Sequence, residues 1–148
     1  MLWTKRRDFE LVATGDPEDR SEPFERYVGW QSQAELPKLL WSSDLLAMPT
    51  VAQEALGRTA VEAMAAGVPV VASRLGGLPF TVADGATGLL AEPGDSADLA
   101  AKLETLLNDA QLRERLGEAG RRRFEEHYSW PVIIERHYRP LLQVAHCP

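Results

Sequence analysis

The sequence predicts an α/β domain, a parallel sheet flanked by helices. Three observations carry that expectation. Short apolar runs, several rich in β-branched residues, alternate with stretches whose apolar positions recur at helical spacing. Gly, Pro and Asp punctuate most of the boundaries between them. The 148 residues are enough for one buried core and correspond to one domain, residues 1–148. Strands alternating with helices favour a parallel sheet with right-handed crossovers.

Phe9-Glu10-Leu11-Val12-Ala13 reads as a short strand that ends in the turn residues Thr14-Gly15-Asp16-Pro17. The acidic segment up to Pro23 is a loop or a short helix, and Tyr27-Val28-Gly29-Trp30 is a second, very short strand. Gln33 to Trp41 is helical, with Leu36, Leu39 and Leu40 as its apolar stripe and Pro37 tolerated near its start. Leu45 to Met48 is a strand closed by Pro49. A loop from Thr50 to Gly57 leads into a helix from Arg58 to Ala66, which Gly67 stops, and then into a strand from Pro69 to Ala72. After the Gly76-Gly77 turn, Leu78 to Ala83 forms one or two helical turns; Asp84-Gly85 turns the chain again into the strand Gly88 to Ala91. The remainder is helical. Ser96 caps a helix to about Leu107, a second helix covers Ala110 to Tyr128, and a third starts at Ser129, with Pro140 as a kink.

Composition narrows the function classes. Hydrophobic residues make up 45% and charged residues 26%, an ordinary soluble profile. A net charge of −6 disfavours a nucleic-acid binder and obliges any phosphate site to rely on local groups. The single cysteine, Cys147, rules out an internal disulfide and a cysteine-rich metal site. The N-terminal Lys5-Arg6-Arg7 is followed by no apolar stretch, so a secretory leader is not read, and no run reaches membrane-spanning length. The expected setting is cytoplasmic.

The most informative stretch is Glu54 to Ser73. Ligands of parallel α/β sheets gather outside the carboxyl ends of the strands, and this stretch begins at such an end. Gly57 opens a helix whose first N–H groups, those of Arg58, Thr59 and Ala60, have no partner within the helix and suit an anion. Arg58 could add a charged contact. Glu62, one turn inside, could accept hydrogen bonds from vicinal hydroxyls, and Glu54 could do the same ahead of the helix. Spacing alone favours both glutamates as solvent-facing and Gly57 as a plain turn. Gly76-Gly77 is either a close approach to the same ligand or a plain tight turn. Asp16 reads as a loop acid, and Arg121-Arg122-Arg123 reads as a solvated helix face balanced by Glu125 and Glu126. His127, His137 and His146 are not at metal-ligand spacing.

Taken together, these segments resemble the C-terminal half of a GT-B-fold retaining glycosyltransferase, of glycosyltransferase family 4 or group 1. The resemblance rests on Glu54–x7–Glu62, on Glu62-Ala63-Met64-Ala65-Ala66-Gly67-Val68-Pro69-Val70-Val71-Ala72-Ser73, on Gly76-Gly77, and on Asp84-Gly85-Ala86-Thr87-Gly88-Leu89-Leu90-Ala91-Glu92-Pro93-Gly94-Asp95, in that order. It covers nearly the whole chain, and it turns the reading of the two glutamates toward ligand groups.

The resemblance implies a Rossmann-like domain, truncated at its N-terminal edge, that binds a nucleotide-diphosphate sugar such as a UDP- or GDP-sugar. Glu62 would hold the ribose hydroxyls; Glu54 would contact the donor sugar and be the residue tied to catalysis. Gly57, Arg58 and Thr59 would present main-chain N–H groups to the donor. Gly15, Val28, Gly76 and Gly77 would border the site on neighbouring loops, Val28 near the base. Transfer would proceed with retention and with no metal or cofactor. Three features depart from the family pattern. The acceptor-binding domain and the basic residues that grip the diphosphate would lie outside this chain, and Phe80 stands where the family commonly has Glu. Activity would then need a partner chain carrying the acceptor domain. The terminal helix, about residues 129–146, would reach toward that domain or support self-association. The alternative is a non-catalytic remnant or interaction module with the same fold.

Overall fold

The computed structural model describes residues 2–16 and 22–144. The expected turn at Pro17, the middle of the acidic segment, and Ala145, His146 and Cys147 lie outside the described residues. A short helix α1 (Leu2–Lys5), which the sequence reading did not anticipate, precedes β1 (Leu11–Ala13) and β2 (Glu25–Tyr27). Then follow α2 (Leu36–Trp41), β3 (Leu46–Met48), α3 (Arg58–Ala66), β4 (Val70–Ser73), α4 (Leu78–Thr81) and β5 (Gly88–Ala91). The chain ends in α5 (Ser96–Asn108), α6 (Ala110–His127), α7 (Trp130–Ile133), a π-helical turn over Ile134–Tyr138, and α8 (Arg139–Val144).

Every strand pairing is parallel, but the described strands form two ladders rather than one. One joins β1 to β2, and the other has the order β3-β4-β5. Strands of three residues make few ladder bonds, so tertiary packing rather than pairing decides where such a ladder ends. The second strand also sits two residues earlier than expected. Val28 N–H still reaches the Ala13 carbonyl at 3.0 Å, yet Gly29 already bridges back to Gly15.

β4 is the central strand. All four of its residues are buried, as a strand covered on both faces requires. Alternation divides its side chains between two cores. Val70 and Ala72 pack with Ala60, Ala63, Leu78, Val82 and Leu90 beneath α3 and α4. Val71 packs on the other side with Leu106 and Leu116 of α5 and α6.

Three expectations about the helices need correction. Asp95, not Ser96, caps α5. Its carboxylate accepts from the Ala97 and Asp98 N–H groups at 2.9 and 3.0 Å, and its charge suits the positive end of the helix. The terminal helix does not simply kink at Pro140; a π-helical turn widens the backbone just before it. Pro140 has no N–H to donate, and its ring would crowd the carbonyl four residues back. The arginine run is only partly a solvated face. Arg121 donates to the Ala65 carbonyl near the end of α3, and Arg123 donates to the Phe80 and Thr81 carbonyls at the end of α4. Carbonyls left open at helix C-termini attract a guanidinium, which the helical period of α6 alone does not reveal.

Candidate functional site

The loops that leave β3 and β4 meet over the N-terminus of α3. Gly57 has φ of +74°, which swings the backbone into the helix; its first ladder bond is Val61 N–H to the Gly57 carbonyl at 3.1 Å. The N–H groups of Arg58, Thr59 and Ala60 therefore precede the hydrogen-bond ladder and carry the positive end of the helix dipole. Gly57 N–H is engaged differently from the expectation that it faces a donor, because it donates to Glu54 Oε1 at 3.2 Å. Glu54, half-buried, thus bends its own loop around the helix start.

The Gly76-Gly77 pair belongs to this site by close approach. The Gly77 N–H donates to the Glu54 carbonyl at 2.7 Å. A Cβ on Gly76 would lie 2.2 Å from the Glu54 carbonyl oxygen, and one on Gly77 would lie 1.6 Å from that of Ala55. No side chain fits at either position. The two loops touch backbone to backbone, so this pair is far more than a turn signal.

Glu62 lies one turn into α3, and Arg58 approaches its carboxylate at 3.7 Å; Arg58 is 78% exposed and Glu62 38%. An exposed pair of this kind contributes a few tenths of a kcal/mol at most (roughly 0.3–0.5) and leaves both side chains free to reorient toward a ligand. Glu62 also lines a groove of about 260 Å³ between α2 and α3, with Leu36, Pro37, Trp41, Ala65 and Ala66. Glu54 is not part of that groove.

Gly15 and Val28 form a second corner, at the ends of β1 and β2. Gly15 is buried with φ of +98° and bridges Gly29. The Val28 carbonyl accepts from Gln31 Nε2 at 2.8 Å. The Trp30 ring lies beside Gly15 and is 81% exposed. The structure thus gathers Glu54, Gly57, Arg58, Thr59, Glu62, Gly76 and Gly77 around one helix start, and holds Gly15 and Val28 in a corner of their own. Phe80, in the family's Glu position, points outward at 78% exposure, with its carbonyl held by Arg123 at 2.7 Å.

Sequence reasoning passed over Thr81. It is fully buried, and its hydroxyl donates to the Leu56 carbonyl at 2.6 Å. Its signal was a lone hydroxyl in the apolar run Leu78 to Val82. A structural carboxylate, Asp84, was read only as a turn residue. It accepts from Leu90 N–H at 2.9 Å and from Arg74 at 2.5 Å. Burial raises its pKa, but these two contacts outweigh that and hold the carboxyl below its ordinary range. Among the described residues no helix is long and apolar enough to cross a membrane.

Comparison with known proteins identifies the family and the fold. The family model for glycosyl transferases group 1 matches residues 25–123. The Arabidopsis thaliana sulfoquinovosyl transferase SQD2 is 38% identical over 128 residues, covering 84% of this chain and 23% of that protein. The chain spans only 21% to 38% of the lengths of the curated relatives it matches. Among solved structures, Anabaena Alr3699/HepE in complex with UDP and glucose superposes with a TM-score of 0.76 at 30% identity, over 82% of this chain and 33% of that one. The C-terminal domain of a group 1 family glycosyl transferase (LpcC) from Francisella tularensis gives 0.67 at 27% identity, over 74% of this chain and 56% of that one. The α/β architecture with parallel sheets flanked by helices is that of the GT-B glycosyltransferases.

Proposed function

The chain belongs to the glycosyl transferases group 1 family, and from that membership we propose that it binds the nucleotide-diphosphate sugar donor of a glycosyl transfer. The observation that carries the reading is the start of α3. Three N–H groups ahead of the helical ladder stand between one glutamate in the preceding loop and a second glutamate one turn inside. That arrangement matches a ligand with phosphates flanked by two sets of hydroxyls.

In this reading residues 1–148 are one nucleotide-sugar-binding domain. Glu62 accepts from the ribose hydroxyls, and the amides of Arg58 and Thr59 face the diphosphate. Gly57 sets the turn that presents them, and Gly15 and Val28 border the base. Glu54 contacts the transferred sugar. As the glycosidic bond breaks, charge develops on the leaving diphosphate, and oriented amides at the helix start stabilise it. The transfer retains the anomeric configuration and uses no metal or cofactor. The HepE complexes with UDP and UDP-glucose support the donor class, and a UDP- or GDP-sugar is the donor proposed here. The setting is cytoplasmic.

The chain supplies the donor half, and the acceptor half lies on another polypeptide segment. The exposed apolar residues of the terminal helices support that division. Trp130, Ile134, Tyr138, Leu141 and Leu142 all lie open, a surface suited to a partner chain or to self-association. The same surface is what a non-catalytic interaction module would use, and this is the second reading.

Isothermal titration calorimetry with UDP, GDP and their sugar conjugates tests the proposal. The chain should bind one nucleotide class, and Glu62→Ala should lose that binding while keeping its thermal transition. Absence of binding to every nucleoside diphosphate up to millimolar concentration would overturn the donor-binding reading in favour of the interaction module.

A further inference from the structure

The Glu54 loop is held by contacts from the start of α3 and from α4 with the turn that opens it. Three hydrogen bonds fix it. Gly57 N–H takes the Glu54 carboxylate at 3.2 Å, Gly77 N–H takes the Glu54 carbonyl at 2.7 Å, and the Thr81 hydroxyl takes the Leu56 carbonyl at 2.6 Å. Two of the three come from one helical turn, since Thr81 N–H itself donates to the Gly77 carbonyl at 3.2 Å. That turn is anchored in its own right. Arg123 Nε donates to the Thr81 carbonyl at 3.0 Å and Arg123 Nη2 to the Phe80 carbonyl at 2.7 Å. Thr81 is fully buried, whereas Ala55 and Leu56 are exposed. Its side chains add little packing, so its position depends on these polar contacts together with the close approach of the Gly76-Gly77 backbone.

We propose that Thr81, backed by Arg123, is a positioning residue that sets where the Glu54 carboxylate meets the transferred sugar. The proposal rests on the donor-binding reading, and it adds a division of labour to that reading. Glu62 stands on α3, whose place is fixed by Ala60, Ala63 and Met64 in the core. Glu54 stands on a loop to which Thr81 supplies a side-chain hydrogen bond from α4. Loss of the Thr81 hydroxyl therefore affects sugar recognition and spares nucleotide recognition.

The test compares Thr81→Val, which keeps the shape and removes the hydroxyl, with Thr81→Ser, which restores it. Each is titrated calorimetrically with UDP, UDP-glucose, GDP and GDP-mannose, alongside the unsubstituted chain. For the nucleotide class that the unsubstituted chain takes, Thr81→Val should raise the Kd of the sugar conjugate by roughly threefold to tenfold, the range expected from one net hydrogen bond. The Kd of the bare nucleotide should stay the same, and Thr81→Ser should return the conjugate to its original affinity. A parallel loss for nucleotide and conjugate would mark a merely structural role and overturn the proposal, as would no change in either. If the unsubstituted chain takes neither these four ligands nor any other nucleoside diphosphate up to millimolar concentration, the donor-binding reading itself fails and this inference falls with it.

Discussion

Gly77→Ala probes the contact that joins the two site loops. The new methyl carbon would start 1.6 Å from the Ala55 carbonyl oxygen, 2.6 Å from its carbonyl carbon and 3.3 Å from Leu56 Cα. All three are backbone atoms, so no rotamer change relieves the clash. Restoring an ordinary contact of 3.4 Å or more requires the loops to part by about 2 Å. That separation breaks the Gly77 N–H bond to the Glu54 carbonyl. The overpacking costs about 1–3 kcal/mol, and the lost hydrogen bond adds about 1 kcal/mol. For a chain of this size each kcal/mol lowers the Tm by roughly 2–4 °C, so differential scanning calorimetry should read a fall of about 4–16 °C. Binding of the sugar conjugate should weaken as well, because under the proposed function Glu54 contacts the transferred sugar and its loop would shift by about 2 Å. A variant that melts within about 1 °C of the parent and binds nucleotide sugar as before would refute the backbone-to-backbone packing of Gly77 on Ala55.

Two further outcomes follow from the contacts away from the site. Asp95→Ala removes the cap that accepts from Ala97 and Asp98, and should cost about 1 kcal/mol, measured by urea denaturation; Ser96→Ala should cost less, because Ser96 is not the capping residue. Asp84 gives a pH dependence with a definite sign. Its folded pKa lies below the unfolded value near 3.8, so its contribution is fully present above that value and fades as pH falls through the folded pKa. The stability difference between the parent and Asp84→Asn should therefore be constant at neutral pH and shrink on acidification. A difference that grew toward low pH would contradict the Leu90 and Arg74 contacts as its source.

Much of the fold was legible because its signals are local. Arg58–Ala66 and Gly88–Ala91 fall where spacing and turn residues set them. The valine-rich run Val68 to Val71 reads as a buried strand, and β4 is buried throughout. Glu54 and Glu62 were visible as residues, and so was Gly57 as the hinge of a helix start. The chemistry of that helix start follows from the chain direction alone, since any helix leaves its first N–H groups unpaired.

Contacts between distant segments were not legible. Nothing in the local pattern says that Gly77 must lie against Ala55, because the reason is the absence of a Cβ at a crossing of two loops. Arg121 and Arg123 look like a surface run until α6 is laid against the ends of α3 and α4, where open carbonyls take them up. The Gly57 amide looked available to a ligand until the loop folded back and brought the Glu54 carboxylate to it. By itself the sequence determined the order of the elements from β1 to α6, the family and the two acids, because short-range periodicity and motif order encode them. Only the tertiary structure decided which loop holds which acid in place, because that depends on hydrogen bonds and close approaches between residues far apart in the chain.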